Sequence, residues 1–355
     1  MRNSLNVISF FHASTLQEEA RAPIVIPTMH GIQKTPCAMD IVDRFEQAEA
    51  LLGDRFEATV SASGPSRRGE FKVAADQNPE EIDSPEIPKE GYGPHTPESM
   101  AQHIAEHWKS DAYNVVHVRA HGHAHEDVMG MPTQHFLSGL KMASDKVGRP
   151  LDTVLMESCL MSSLGVMSQL NGSVSTIIAS QEVLNAKALP HKEMLAGALE
   201  GDLEPRPVAA RMMEAAREHG TADTLVALDP SKLGDVVEAV VSLKQGVDKS
   251  VASDRSLKKL ARKAVKSSPR FPRRQVETGY RRKLDLRDLG ELADSFSSSE
   301  FGTEVAAKSR RVKSALNEAV IDGAFGPGYV GVSGVSVQSG SVMEKTGFDF
   351  FGLMA

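Results

Sequence analysis

Three short β-branched runs, separated by amphipathic helices, constrain this chain more than any other feature. Residues 113–118 (YNVVHV), 151–156 (LDTVLM) and 174–179 (VSTIIA) have the length and composition of buried strands. Between them Phe136, Leu140, Ala143 and Val147 mark one helical face, and Leu160, Leu164 and Met167 mark another. A helix also precedes the first run. Thr96 is a good N-cap, Pro97 suits the first helical position, and Met100, Ile104 and Trp108 recur at i, i+4 and i+8. Strands that alternate with helices fold as right-handed βαβ units, which dictates a mostly parallel sheet covered on both faces. The same pattern continues with a helix over 205–219, a strand over 223–228 and a helix over 231–244. From about residue 251 helices dominate until a late strand at 329–337.

The first 78 residues are less regular. Strands are expected over 6–11, 23–27, 56–62 and 70–74 and a helix over 40–52, with their packing left open. Residues 79–97 form a linker, since prolines interleaved with acids and glycines propagate neither a helix nor an interior strand. The expected division is therefore 1–78, a linker at 79–97, an α/β core at 98–250 and a mainly helical region at 251–355. No apolar run approaches the roughly 18 residues of a membrane span. The apolar stretch near the N-terminus is broken by Ser9 and reads as a first strand rather than a leader. Two cysteines in 355 residues, Cys37 and Cys159, exclude a disulfide scaffold and favour a reducing compartment. A cytoplasmic protein is expected, with secretion by another route left open.

The net charge of -7 conceals an asymmetry. Between Arg255 and Lys283 twelve Lys or Arg face the single acid Glu277, a block of +11, so the rest carries -18. Such a block suits an anionic partner, although only Phe271 and Tyr280 interleave it, which disfavours nucleic acid.

Open α/β sheets bind ligands outside the carboxyl ends of their strands. The run at 113–118 ends in Arg119-Ala120-His121-Gly122-His123-Ala124-His125, and the run at 151–156 ends in Glu157-Ser158-Cys159. One crossover separates these strands, so His121 and Cys159 come together although 38 positions apart. A thiol with an ordinary pKa is mostly protonated at neutral pH and needs a base, which an adjacent histidine supplies. If a helix starts at Cys159, its N-terminus also favours the thiolate. The N–H groups of Gly122 and Cys159 are placed to form an oxyanion hole. Two other readings stand beside this one. His121, His123 and His125 alternate as zinc ligands do on an extended segment, which would make a metal-dependent hydrolase. An inert Cys159 would leave a non-catalytic regulatory module.

Taken together, NVVHVRAHGHA, TVLMESCLMSS and STIIASQEVL resemble the clostripain-like (C11) cysteine peptidases of the caspase-type clan. The resemblance is good from about residue 96 to 200, looser to 340 and poor before residue 78. It implies a caspase-like three-layer α/β/α sandwich and an endopeptidase that cleaves after Arg or Lys. It makes Cys159 the nucleophile and His121 its base, with Gly122 beside the oxyanion. The acid that reads a basic P1 side chain falls on Glu157, a Glu where relatives carry Asp. Ser180, Gln181 and Glu182 fall on the element that shapes the S1 pocket. Ala120 stands where many relatives have Asp, and His123 and His125 match no family role. Self-cleavage near Lys141, Lys146 or Arg149 has no Gly/Ser-rich loop to support it. The calcium that some relatives need has no matching ligand set here, so no cofactor is required from the sequence.

Overall fold

A computed structural model describes residues 2–12, 38–63, 68–74, 80–81, 96–184, 189–219, 224–273 and 284–338. The expected strand at 23–27, Cys37, most of the proline-rich linker and the 274–283 part of the basic block lie outside these residues.

In chain order the N-terminal elements are β1 (Leu5–His12), α1 (Ala38–Leu52), β2 (Phe56–Ser63), β3 (Arg68–Ala74) and β4 (Glu80–Glu81). The central ones are α2 (Pro97–His107), β5 (Tyr113–Arg119), a hairpin of β6 (Asp127–Val128) and β7 (Met131–Pro132), α3 (Thr133–Val147), β8 (Leu151–Glu157), α4 (Leu164–Met167) and β9 (Val174–Ser180). There follow α5 (His191–Ala198), α6 (Pro205–Glu218), β10 (Thr224–Leu228), α7 (Leu233–Ser253) and α8 (Leu257–Ser267). The last are β11 (Arg270–Phe271), β12 (Leu286–Asp288), α9 (Leu289–Ser295), α10 (Gly302–Ala319), β13 (Val320–Phe325) and β14 (Ser336–Gln338).

Among the described residues nine strands form one sheet in the order β13-β10-β9-β8-β5-β1-β2-β3-β4. The five from β9 to β2 are parallel, and the strands on both flanks run antiparallel. Alternation along each strand divides the core. Val116, Val118, Val154 and Met156 face one side, where Ile104, Phe136, Leu233 and Val312 cover them. Tyr113, Val115, Leu155 and Ile178 face the other, against Phe45, Met194, Val208 and Met212. Helices α2, α3, α7 and α10 thus form one outer layer and α1, α5 and α6 the second. This is a three-layer α/β/α sandwich with a mostly parallel sheet.

The cap at α2 follows the sequence reading. Thr96 accepts from the Ser99 N–H, and the Ser99 hydroxyl accepts in return from the Thr96 N–H. The residues before 78, whose packing the sequence left open, put β1 in the middle of the sheet between β2 and β5. Two strands differ from expectation. β10 runs antiparallel to β9 because two packed helices, α5 and α6, connect them and return the chain to the edge it left. The late strand is confined to Ser336–Gln338, while residues 320–325, expected to be helical, continue from α10 as the edge strand β13.

Candidate active site

β5 and β8 are neighbours in register, Arg119 opposite Glu157, and both run out at the same edge of the sheet. The ladder extends one residue further, with the Ala120 N–H donating to the Glu157 carbonyl at 3.4 Å. His121 and Gly122 then lie against the segment after β8. A Cβ built at Gly122 would sit 2.9 Å from the Cys159 carbonyl oxygen and 3.0 Å from both Ser158 Cβ and Met161 Sδ. Gly122 is therefore required for close approach. The hairpin β6–β7 fixes the other side of this turn, since the Met129 N–H donates to the His121 carbonyl and Gly122 bridges Val128. The His121 ring is exposed at this rim.

Cys159 does not sit at a helix N-terminus, which corrects the sequence expectation. α4 begins only at Leu164, and residues 158–163 form a turn in which Leu160 adopts φ 61°. That left-handed conformation costs a residue with a Cβ about 1 kcal/mol. It is held by the Leu160 N–H donating to the Glu182 carbonyl and by burial of its side chain. The turn forms because Leu160 packs with Phe271, Leu284, Leu286, Tyr329 and Val332, a cluster that Cys159 borders. Without a helix dipole, burial pushes the Cys159 thiol up. A hydrogen bond with the Leu184 backbone offsets this in part, and the charge of Glu182 adds to the rise.

Glu157 is buried on the face of the sheet shared with α1 and α5. Its Oε2 accepts from His117 Nε2 at 3.1 Å and from His191 Nε2 at 3.0 Å, while Arg119 Nε lies 3.8 Å from Oε1. Burial alone would raise its pKa. The electrostatic pull of His191, the two histidine hydrogen bonds and Arg119 together outweigh burial and hold the carboxyl well below the usual range. Burial drives the His117 pKa down to about 4, against the raising effect of its Glu157 hydrogen bond. His117 is therefore neutral near pH 7, and its Nδ1 is 2.9 Å from Ser9 Oγ.

Ser180, Gln181 and Glu182 continue from β9 and are fully buried. Ser180 bonds to the Glu182 carbonyl and Thr224, and Gln181 donates to Asp288 at 2.9 Å. The Glu182 carboxylate accepts from the backbone N–H groups of Val183 and Arg273 and from the Tyr329 hydroxyl. Arg273 stacks over Tyr329 and Phe271, 5.0 and 5.4 Å from their ring centroids. The C-terminal region thus builds the wall beside Cys159.

The alternating histidines do not converge. His123 Nδ1 bonds to Asp127 at 2.7 Å, and His125 is half-buried with its pKa lowered by burial. Among the described residues the one set of three with ligand atoms mutually within 4.8 Å is His117, Glu157 and His191, which the sequence reading did not assemble. A cavity of about 760 Å³, lined by Arg2, Arg149, Asp152 and Glu204 among others, opens at the opposite edge, where β5 and β8 begin, and takes no part in this site.

The clostripain family (peptidase C11) matches residues 100–343, more than half of the chain and spanning both strand ends. The chain belongs to the clostripain family. It is accordingly a cysteine-type peptidase, and the alternatives of a zinc hydrolase and a non-catalytic module fall away. No curated protein matches it. Three solved structures share its fold, each at a TM-score of 0.65. An inactive zymogen C11 protease from Parabacteroides distasonis is 12% identical, with 96% of this chain and 94% of that one covered. A secreted C11 cysteine protease from Bacteroides thetaiotaomicron is 13% identical over 100% of both chains. The structure of such a protease with an irreversible peptide inhibitor is 14% identical over 99% of each. The sandwich is thus of the caspase-like type found in C11 proteases. No helix among the described residues is long and apolar enough to cross a membrane.

Proposed function

We propose that this clostripain-family peptidase hydrolyses peptide bonds through Cys159 and His121 and prefers Arg or Lys at P1. The observation that carries the proposal is the seating of His121–Gly122 against Ser158–Cys159, so close that no side chain fits at Gly122. His121 takes the proton of the Cys159 thiol, and the thiolate attacks the scissile carbonyl carbon. The resulting oxyanion accepts from the N–H groups of Gly122 and Cys159. His121 then protonates the leaving amine, and water hydrolyses the thioester. General base and acid transfer is worth about 10²–10⁴ in rate and an oxyanion donor about 10²–10³. Burial raises the thiol pKa, so the ground state is the thiol, and the base makes the thiolate only as substrate arrives.

Glu157, held ionised at the end of β8, supplies the charge for a basic P1 side chain, which shares it with Arg119. Ser180, Gln181 and Glu182 serve that pocket by fixing its walls through Asp288, Arg273 and Tyr329. No step uses calcium or another cofactor. The exposed Arg255, Lys258, Lys259 and Arg262 around the start of α8 suit an anionic partner, and the two cysteines a reducing, cytoplasmic setting.

Cys159→Ala tests the reading. It should abolish cleavage of Arg- or Lys-terminated fluorogenic peptides while chelators leave the wild type active, and cleavage that survives the substitution would overturn the proposal. Glu157→Gln should reduce basic-P1 selectivity by roughly 10- to 100-fold, the worth of a charged hydrogen bond. Unchanged selectivity would remove Glu157 from the pocket.

A further inference from the structure

His117 Nε2, His191 Nε2 and Glu157 Oε2 converge in one buried place where five elements meet. β5 carries His117, β8 ends in Glu157, α5 opens with His191, β1 supplies Ser9, and α1 contributes Phe45, whose ring packs edge-on against both imidazoles. The peptide-cleaving machinery uses only the carboxylate of this set. We infer that His117, Glu157 and His191 form a binding site for a borderline divalent cation, zinc above all, and that its occupation shuts the peptidase off.

The donors are those zinc takes when two imidazoles and one carboxylate leave a fourth position for water. A tetrahedral site with arms of about 2.0–2.1 Å needs donors about 3.3 Å apart. Here the two nitrogens stand 3.1 and 3.0 Å from the shared oxygen, within a few tenths of an ångström of that spacing, and all three donors lie within 4.8 Å of one another. To bind a cation through Nε2, each ring must carry its proton on Nδ1. For His117 that N–H then meets Ser9 Oγ, an orienting contact of the kind that accompanies metal-bound histidines. His191 Nδ1 has no hydrogen-bond partner among the described residues. Arg119 lies toward the other oxygen, Oε1, and leaves Oε2 to the ion. Its charge weakens the site relative to a structural zinc centre, which suits reversible occupation. The inhibitory consequence rests on the proposed role of Glu157, because zinc takes the charge that a basic P1 side chain needs.

Cobalt(II) tests the site without relying on activity. In full-length Cys159→Ala protein, which lacks the thiol as a rival ligand, one Co²⁺ per chain should give low-symmetry d–d bands that Zn²⁺ displaces. His191→Gln should weaken Co²⁺ binding by roughly 100-fold or more, beyond the 10–100-fold typical of an outer contact. The inference is overturned if stoichiometric Co²⁺ gives no band, if the band persists unchanged in His191→Gln, or if His123→Ala removes it. Should His191→Gln fail to fold, Ser9→Ala replaces it. A loss of about 10–100-fold then supports the site, and unchanged affinity overturns it. These readouts come from a chain without its nucleophile, so they stand apart from the peptidase reading. In the wild type Zn²⁺ should inhibit basic-P1 cleavage and a chelator should restore it. Cleavage unaffected by Zn²⁺ at concentrations that displace Co²⁺ would overturn the inhibitory role alone.

Discussion

Replacing Gly122 by Ala probes the contact on which the proposed chemistry depends. The added Cβ would lie 2.9 Å from a backbone oxygen of Cys159 and 3.0 Å from Ser158 Cβ, where optimal contacts lie at about 3.5–4.0 Å. Two of the three neighbours belong to or adjoin the backbone of a tight turn, so relief must come from separating the two strand ends by about 0.5 Å. Overpacking of this kind costs about 1–3 kcal/mol of stability. A 1 Å misplacement of reacting groups costs about 100-fold in rate, so half that displacement predicts a loss of about tenfold in kcat/KM, beyond any loss of folded protein. The assay is kcat/KM on a Lys- or Arg-terminated fluorogenic peptide, normalised to the thiol titrated by an irreversible inhibitor, beside a thermal melt. Gly234→Ala is the matched control. No atom lies within 4 Å of its added Cβ, and it sits in the first turn of α7, so it should gain up to about 1 kcal/mol without altering kcat/KM. Wild-type activity and an unchanged melt for Gly122→Ala would refute the reasoning.

Two other outcomes follow from the same geometry. His117 is a base whose folded pKa of about 4 lies below its ordinary 6.5, so the unfolded chain binds the extra proton between those values. Stability should therefore be full above about pH 6.5 and fall by up to about 3 kcal/mol as pH drops to about 4, with the depressed Glu157 carboxyl adding to the loss below its own ordinary range. Urea unfolding at pH 7 and pH 5 reads this, and equal midpoints would contradict it. Glu182→Gln removes a charge that raises the Cys159 pKa, so the pH profile of thiol alkylation should move to lower pH, and an unmoved profile would deny that coupling.

The alternation of strands and helices was legible because it is local, and so were the elements that hold His121 and Cys159. Their adjacency was legible too, since one right-handed crossover leaves β5 and β8 little choice of neighbour. The wall beside the thiol was not. Glu182 meets Arg273 and Tyr329 across 91 and 147 positions, and no short-range pattern announces such contacts. His117 carried a signal, a polar residue inside a buried β-branched run, but its partner His191 begins a helix 74 positions later. The helix expected at Cys159 failed because the spacing of Leu160, Leu164 and Met167 arises from a left-handed turn followed by a single helical turn. β13 was hidden by direct continuation from α10, though Val320 and Ile321 are both β-branched.

The central position of β1 sets a schedule for biosynthesis. Leu5 pairs with Tyr113, so β1 leaves the ribosome ahead of a neighbour 108 residues behind it. At about 5–20 residues per second that lead is about 5–20 s, during which Leu5, Val7, Ile8 and Phe10 have only β2 on one side and no cover on the other edge. Synonymous codons that slow translation between residues 63 and 113 lengthen the exposure, and they should lower the soluble yield without changing a single side chain of the finished peptidase.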